Sequence, residues 1–180
     1  MRPVFFYKSS QPPSPLPPSE ATWLWWFYVW TPTAIAVAMI CTESTDTFSA
    51  QNTSSWLRPI VQHWFGPIND SAWDLFHLIV RKTGHFIGYG LVALTFLRAW
   101  LYTLDLRGPA TLRSWRLNST LLAIASTAIV ASCDEYHQSF IPSRNGTPLD
   151  VLLDTAGACA LCLLVWLLCW SKRPQVLSPA

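Results

Sequence analysis

Charge is scarce in this chain of 180 residues: Asp, Glu, Lys and Arg together make up 12% of it, about half the share of an ordinary soluble domain. The formal net charge is only +2, and no Lys/Arg cluster is interleaved with aromatic residues, which argues against nucleic acid as a partner. The five cysteines are an odd number, and Cys41, Cys159, Cys162 and Cys169 lie within apolar runs. No disulfide framework and no zinc site is expected from them. Cys159-x-x-Cys162, without βαβ surroundings, reads as two small apolar residues of a helix. A nucleophile elbow, a P-loop and a recognisable phosphatase motif are also missing, and no cofactor is implied.

What fills the chain instead is apolar. Hydrophobic residues make up 51% and eleven are Trp, more apolar surface than a soluble protein of this length could keep from water. The length accommodates one domain. The expectation is an all-α integral membrane protein with about four transmembrane helices, its partner the lipid bilayer.

The first span is read over residues 22–41, twenty residues without charge, which matches the ~20 needed to cross ~30 Å of hydrocarbon. Trp23, Trp25, Trp26, Tyr28 and Trp30 form an aromatic belt in its first half, and Pro32 predicts a kink of the kind membrane helices tolerate. The run is longer than the apolar region of a cleaved signal peptide, the rival suggested by Ala34-x-Ala36-x-Ala38. Further spans are read over 86–104, 117–133 and 149–170. Arg98 interrupts the second near its far end and is expected to snorkel. The third is short, so its helix is expected to run on. A basic loop at 106–116 turns at Gly108-Pro109, and Ser171-Lys172-Arg173 stops the fourth span. The membrane domain is thus placed at 22–171, between a Pro-rich tail over 1–20 and a short tail over 172–180.

Short interfacial helices are expected between spans one and two. Trp56, Leu57, Ile60, Val61, Trp64 and Phe65 keep helical spacing after Ser55 as a cap, with Pro59 near the start. Gly66-Pro67 ends that helix. A second helical stretch starts at Asp70-Ser71.

Against this background one polar stretch stands out, Asp134-Glu135-Tyr136-His137-Gln138-Ser139-Phe140-Ile141-Pro142-Ser143-Arg144, closed by Asp150. Ionisable groups at membrane depth are costly and usually functional. Seven cations fall on the side of the termini (Arg2, Lys8, Arg107, Arg113, Arg116, Lys172, Arg173) and four on the other (Arg58, Arg81, Lys82, Arg144). The positive-inside rule then predicts cytoplasmic termini and an outward-facing polar stretch. Arg81 to His85 reaches the same side. Lys82, His85 and Tyr89 share one helix face, as do Asp150, Asp154 and Gly157, while Asp134 and Gln138 are one turn apart. The candidate cluster is Lys82, His85, Tyr89, Asp134, Glu135, His137, Gln138, Arg144, Asp150 and Asp154.

The combination Arg81-Lys82-x-Gly84-His85-Phe86-x-x-Tyr89, Asp134-Glu135-x-His137-Gln138-x-Phe140-x-Pro142-x-Arg144, Asp150 and Gly157 resembles the VanZ-like family of small bacterial membrane proteins, over about residues 30–170. The family often has Asn where this chain has Asp154. The resemblance implies a multi-pass protein of the bacterial inner membrane and a link to resistance to the glycopeptide teicoplanin, with which the founding member is associated.

Four readings of the cluster follow. It could be an ion-pair network of Lys82, Arg144, Asp134, Glu135 and Asp150 that only fixes helix register. It could bind anionic lipid headgroups or cell-wall precursors, with Arg144 displayed by a turn at Asn145-Gly146 and Lys82 as a second cation. It could be an enzyme acting on lipid-linked phosphate through His85 or His137. Asp134-x-x-His137 could hold a metal with Glu135, His85 or Asp150. The non-enzymatic binding reading is preferred, with no catalytic residue and no metal ligand assigned.

Overall fold

The computed structural model describes residues 21–105 and 112–170, which include no strand. The proline-rich tail, the Gly108-Pro109 turn and the C-terminal tail lie outside the described residues. Helix α1 runs over Trp23–Glu43, α2 over Ala50–Phe65, α3 over Asp70–Asp105, α4 over Leu112–Gln138 and α5 over Pro148–Val165, the last continuing as a π-helical turn through Trp166–Trp170. A 3-10 turn, Asp46–Phe48, links α1 to α2. The helices α1, α3, α4 and α5 with its extension are each long and apolar enough to cross a membrane.

The helical stretch that starts at Asp70 leads into the second span, as expected: α3 is 36 residues long and runs without a break. Two expectations are corrected. The first short helix starts at Ala50, capped by Ser49, whose hydroxyl accepts from the Asn52 amide at 3.3 Å. Ser55 is therefore inside the helix, and Pro59 falls past its middle. The basic loop is shorter than expected, because α4 begins at Leu112. As expected, α4 carries the polar stretch as far as Gln138.

Helix α3 is the hub, packed on α1, α4 and α5. Its Tyr89, Val92, Ala93, Leu97 and Leu101 form one core with Trp115, Ala123 and Ala131 of α4 and Ala158 and Cys162 of α5. Buried indoles need a hydrogen-bond acceptor: Trp115 donates to the Leu101 carbonyl (3.0 Å), Trp100 to Ser126 (3.1 Å) and Trp166 to Thr120 (3.1 Å). All five cysteines are free thiols.

Arg98 does not snorkel away from the bundle. It donates to the Val29 carbonyl at 2.8 Å, lies 3.5 Å from that of Tyr28, and sits over the Tyr28 and Tyr102 rings. Pro32 lacks the N–H that would have served the Tyr28 carbonyl, so the cation answers a gap in α1.

Helix α2 folds back along the first third of α3 with an inverted polarity. The seam holds polar contacts: Thr53 with His77 (3.1 Å), Ser54 with the Trp73 indole (2.7 Å), and Arg58 with Asp70 (2.6 Å). Trp56, Ile60, Trp64 and Phe65 of α2, and Leu75, Phe76, Leu78, Ile79 and Val80 of α3, point outward and are exposed.

Candidate functional site

The polar residues gather at one end of the bundle, where α1 ends, α5 begins, α4 reaches its last turn and α3 passes through. Helices α3 and α5 run in parallel there, and their side chains meet as rungs. Lys82 pairs with Asp150. One turn deeper, His85 Nδ1 lies 3.4 Å from Asp154 Oδ1. One turn deeper still, Gly157 lies directly against the Phe86 backbone. Lys82 and His85 on α3 are three residues apart and Asp150, Asp154 and Gly157 on α5 four and three, so the groups on each helix lie along one face.

Helix α4 contributes the facing carboxylates. Asp134 Oδ2 accepts from the Tyr89 hydroxyl (2.8 Å) and from Gln138 Nε2 (2.9 Å). Glu135 is buried, and its Oε2 accepts the Thr147 amide at 2.8 Å, which ties the start of α5 to the end of α4. Thr147 also caps α5, its hydroxyl accepting from the Asp150 amide at 3.3 Å, with Pro148 at the first helical position and Asp150 in the first turn. Each choice suits a helix N-terminus.

Arg144 departs from expectation. Its loop does not display the guanidinium: only 8% of the residue is exposed. Its NH2 group donates to the carbonyls of Glu43 and of Thr45 (2.8 Å). The Glu43 carbonyl is that of the last residue of α1, a favourable place for a cation, and the Thr45 carbonyl, which also accepts from the Phe48 amide, opens the 3-10 turn. Burial, followed by the charge of Arg81, lowers its pKa from the ordinary value, while an arginine still remains protonated. Gly146 is essential to the loop's path, because a β-carbon there would overlap the Glu135 carbonyl. Ser143 adds a bond to Asp46 across to the 3-10 turn.

His137 is exposed and turns the other way, 3.5 Å from the Ser44 hydroxyl. The remaining candidates come together, though not as a closed ion-pair network. Lys82–Asp150 is the one Lys/Arg–carboxylate pair within the cluster among the described residues. Glu135 Oε1, both oxygens of Asp154, His85 Nδ1 and Arg144 Nε are buried without a hydrogen-bond partner.

A cleft of about 690 Å³ opens between the first part of α3 and the loop leading into α5. Its wall includes Asp74, His77, Arg81, Lys82 and His85 on one side and Gln138, Arg144, Asn145, Thr147 and Asp150 on the other. Arg81 is half-buried and has no hydrogen bond or ion pair to a described residue. It is the cation that sequence reasoning left out of the cluster, although it was quoted in the motif. The signal was available: His77, Arg81 and His85 recur every four residues and therefore share a face. A cavity of about 20 Å³, lined by Glu43, Ser44, His85, Tyr89, Asp134 and Gln138 among others, lies deeper, room for about one water.

Comparison with known proteins gives one match. A family model described as VanZ/LLP1 covers residues 21–169, which includes every site residue above. No curated protein and no solved structure matches the chain.

Proposed function

The chain belongs to the VanZ/LLP1 family, and from that premise we propose that this multi-pass membrane protein binds anionic components of the bacterial cell envelope at its polar end. The ligands are phosphate-bearing lipid headgroups or lipid-linked cell-wall precursors, and the protein acts by recognition, without chemistry of its own. One observation carries this reading: Arg81, Lys82 and Arg144 line a single cleft, and among the described residues Arg81 makes no hydrogen bond or ion pair. A guanidinium matches phosphate oxygens in a planar, two-pronged way, and Lys82 adds a point charge beside it. The unpaired atoms of Glu135, Asp154 and Arg144 count against a cluster that serves register alone.

The inverted hairpin supports a place in lipid. Water would leave the outward row of Trp56, Ile60, Trp64, Phe76 and Ile79 as an unsupported apolar patch. Lipid suits it, because the polar groups of the seam satisfy one another and Trp favours the interface. The cleft then opens at headgroup level, on the outer face of the inner membrane, with the termini in the cytoplasm. A link to teicoplanin resistance follows if the bound component is one the antibiotic must meet.

The test uses the full chain purified in detergent, with native mass spectrometry against short-chain phosphatidylglycerol, a polyprenyl phosphate and phosphatidylcholine. The expected result is retention of one or both anionic lipids over phosphatidylcholine, weakened about tenfold, or ~1.4 kcal/mol, by Arg81→Met. The two anionic arms separate headgroup from precursor. Equal binding of all three, or binding untouched by Arg81→Met, sinks the reading. For resistance, teicoplanin susceptibility is compared in a host carrying the wild-type chain or Arg81→Met.

A further inference from the structure

We propose that His85, Glu135 and Asp154 form a binding site for a divalent transition-metal cation, a site distinct from the anion-binding cations of the cleft. One residue comes from each of α3, α4 and α5, and their donor atoms all lie within 4.8 Å of one another. The pair His85 Nδ1 and Asp154 Oδ1 is 3.4 Å apart. That is about the edge of a tetrahedron whose metal–ligand bonds are ~2.0–2.2 Å long. The two edges to Glu135 are no longer than 4.8 Å.

The second observation is the state of the donors. Asp154 is fully buried and Glu135 is 5% exposed, yet among the described residues Asp154 Oδ2 and Glu135 Oε1 have no polar partner, and Asp154 Oδ1 and His85 Nδ1 have only each other, at 3.4 Å and without hydrogen-bond alignment. Buried carboxylate oxygens are nearly always satisfied, and each orphan calls for an explanation such as an ion. The nearest cations are otherwise placed. Lys82 is held by Asp150 one turn away, Arg144 by carbonyls of the α1 end, and Arg81 makes no contact with either carboxylate. Metal binding requires the two carboxyl groups deprotonated and the imidazole neutral, and the −2 charge of that donor set is what one dication cancels.

The surroundings hold the donors as a metal site requires. Glu135 Oε2 is fixed by the Thr147 amide, leaving Oε1 free. The His85 ring lies nearly parallel to Tyr89, 18° between planes. Contact of Gly157 with Phe86 sets the depth of α5 against α3. Such outer contacts orient ligands and tune affinity. One nitrogen and two oxygens suit zinc, manganese or iron(II), whereas calcium and magnesium prefer oxygen alone.

The test strips the full-length protein in detergent with a chelator, titrates it with Co²⁺ and with Zn²⁺, and measures retained metal by mass spectrometry after desalting. About one equivalent is expected, with Co²⁺ giving visible absorption of a low-coordinate site and Mg²⁺ failing to displace it. The near-isosteric Asp154→Asn and Glu135→Gln should each weaken binding more than about tenfold, the order of loss seen when even outer contacts are removed. The exposed His63→Ala should leave it unchanged. Absence of stoichiometric metal in the wild-type protein overturns the proposal, leaving a protonated His85 paired with Asp154 as the occupant. Retention that survives both carboxylate substitutions overturns it as well. Lipid binding is read in separate experiments, so either proposal can fail alone.

Discussion

Gly157 of α5 meets Phe86 of α3 so closely that a β-carbon at 157 would overlap the Phe86 carbonyl oxygen. Beside it, Gly90 faces the Gly157 carbonyl, where a β-carbon would come within 3.0 Å. Small residues let helix backbones approach in membranes, where tight packing rather than water drives association. The contact fixes the register in which Lys82 finds Asp150 and His85 finds Asp154.

Gly157→Ala should therefore destabilise the protein by about 1–3 kcal/mol, the usual range for overpacking. Gly88, with nothing within 4 Å of a β-carbon, is the contrast: Gly88→Ala should be neutral or stabilise by up to ~1 kcal/mol through helix propensity. Thermal unfolding in one detergent compares them. Equal stability of the two variants would show that α3 and α5 do not touch at this depth.

Arg98 and Pro32 should be energetically coupled. Arg98→Met removes the donor to the Val29 and Tyr28 carbonyls, while Pro32→Ala restores an N–H for Tyr28. The loss from Arg98→Met should shrink by roughly 0.5–1.5 kcal/mol in the Pro32→Ala background, the net worth of one hydrogen bond. Strict additivity in a double-mutant cycle would refute the compensation.

Arg144→Ala should lower stability by about 2–4 kcal/mol, because it removes charge-assisted bonds and leaves the end of α1 uncapped. Arg113→Ala, at an exposed position in the first turn of α4, should change it by less than ~0.5 kcal/mol. Chemical unfolding at matched expression reads the difference, and similar values would remove Arg144 from its structural post.

Placement in the membrane is checked by single cysteines in a cysteine-free background. A thiol at the exposed Asn145 should react with an impermeant reagent in intact cells, and one at Arg113 should not. The reverse pattern would invert the orientation. A spin label at Trp64, 76% exposed, should be relaxed by oxygen more than by a water-soluble nickel chelate, as lipid contact requires. Preference for the chelate would put the hairpin in water.

Much of this was legible in the residues themselves. Each of the four apolar runs falls on a helix long and apolar enough to cross a membrane, since crossing hydrocarbon demands length and hydropathy, both local properties. Helical spacing put Lys82, His85 and Tyr89 on one face, and Asp150, Asp154 and Gly157 on another. Boundaries set by competing caps were misread: Ser49, not Ser55, starts α2, because the hydroxyl with a free amide three residues on wins and several serines qualify.

What one chain segment does to another, fifty or a hundred residues away, was decided only in the folded protein. Arg144 and Arg81 illustrate it. Sequence shows two cations in polar stretches, but the tertiary structure sends Arg144 into the carbonyls of Glu43 and Thr45 and leaves Arg81 open on the cleft. It also chooses His85, Glu135 and Asp154 as the converging trio, rather than the neighbouring Asp134 and His137. Periodicity determines which face of a helix a side chain occupies. Only close packing, here of Gly157 against Phe86 and Gly146 against Glu135, determines what that face meets.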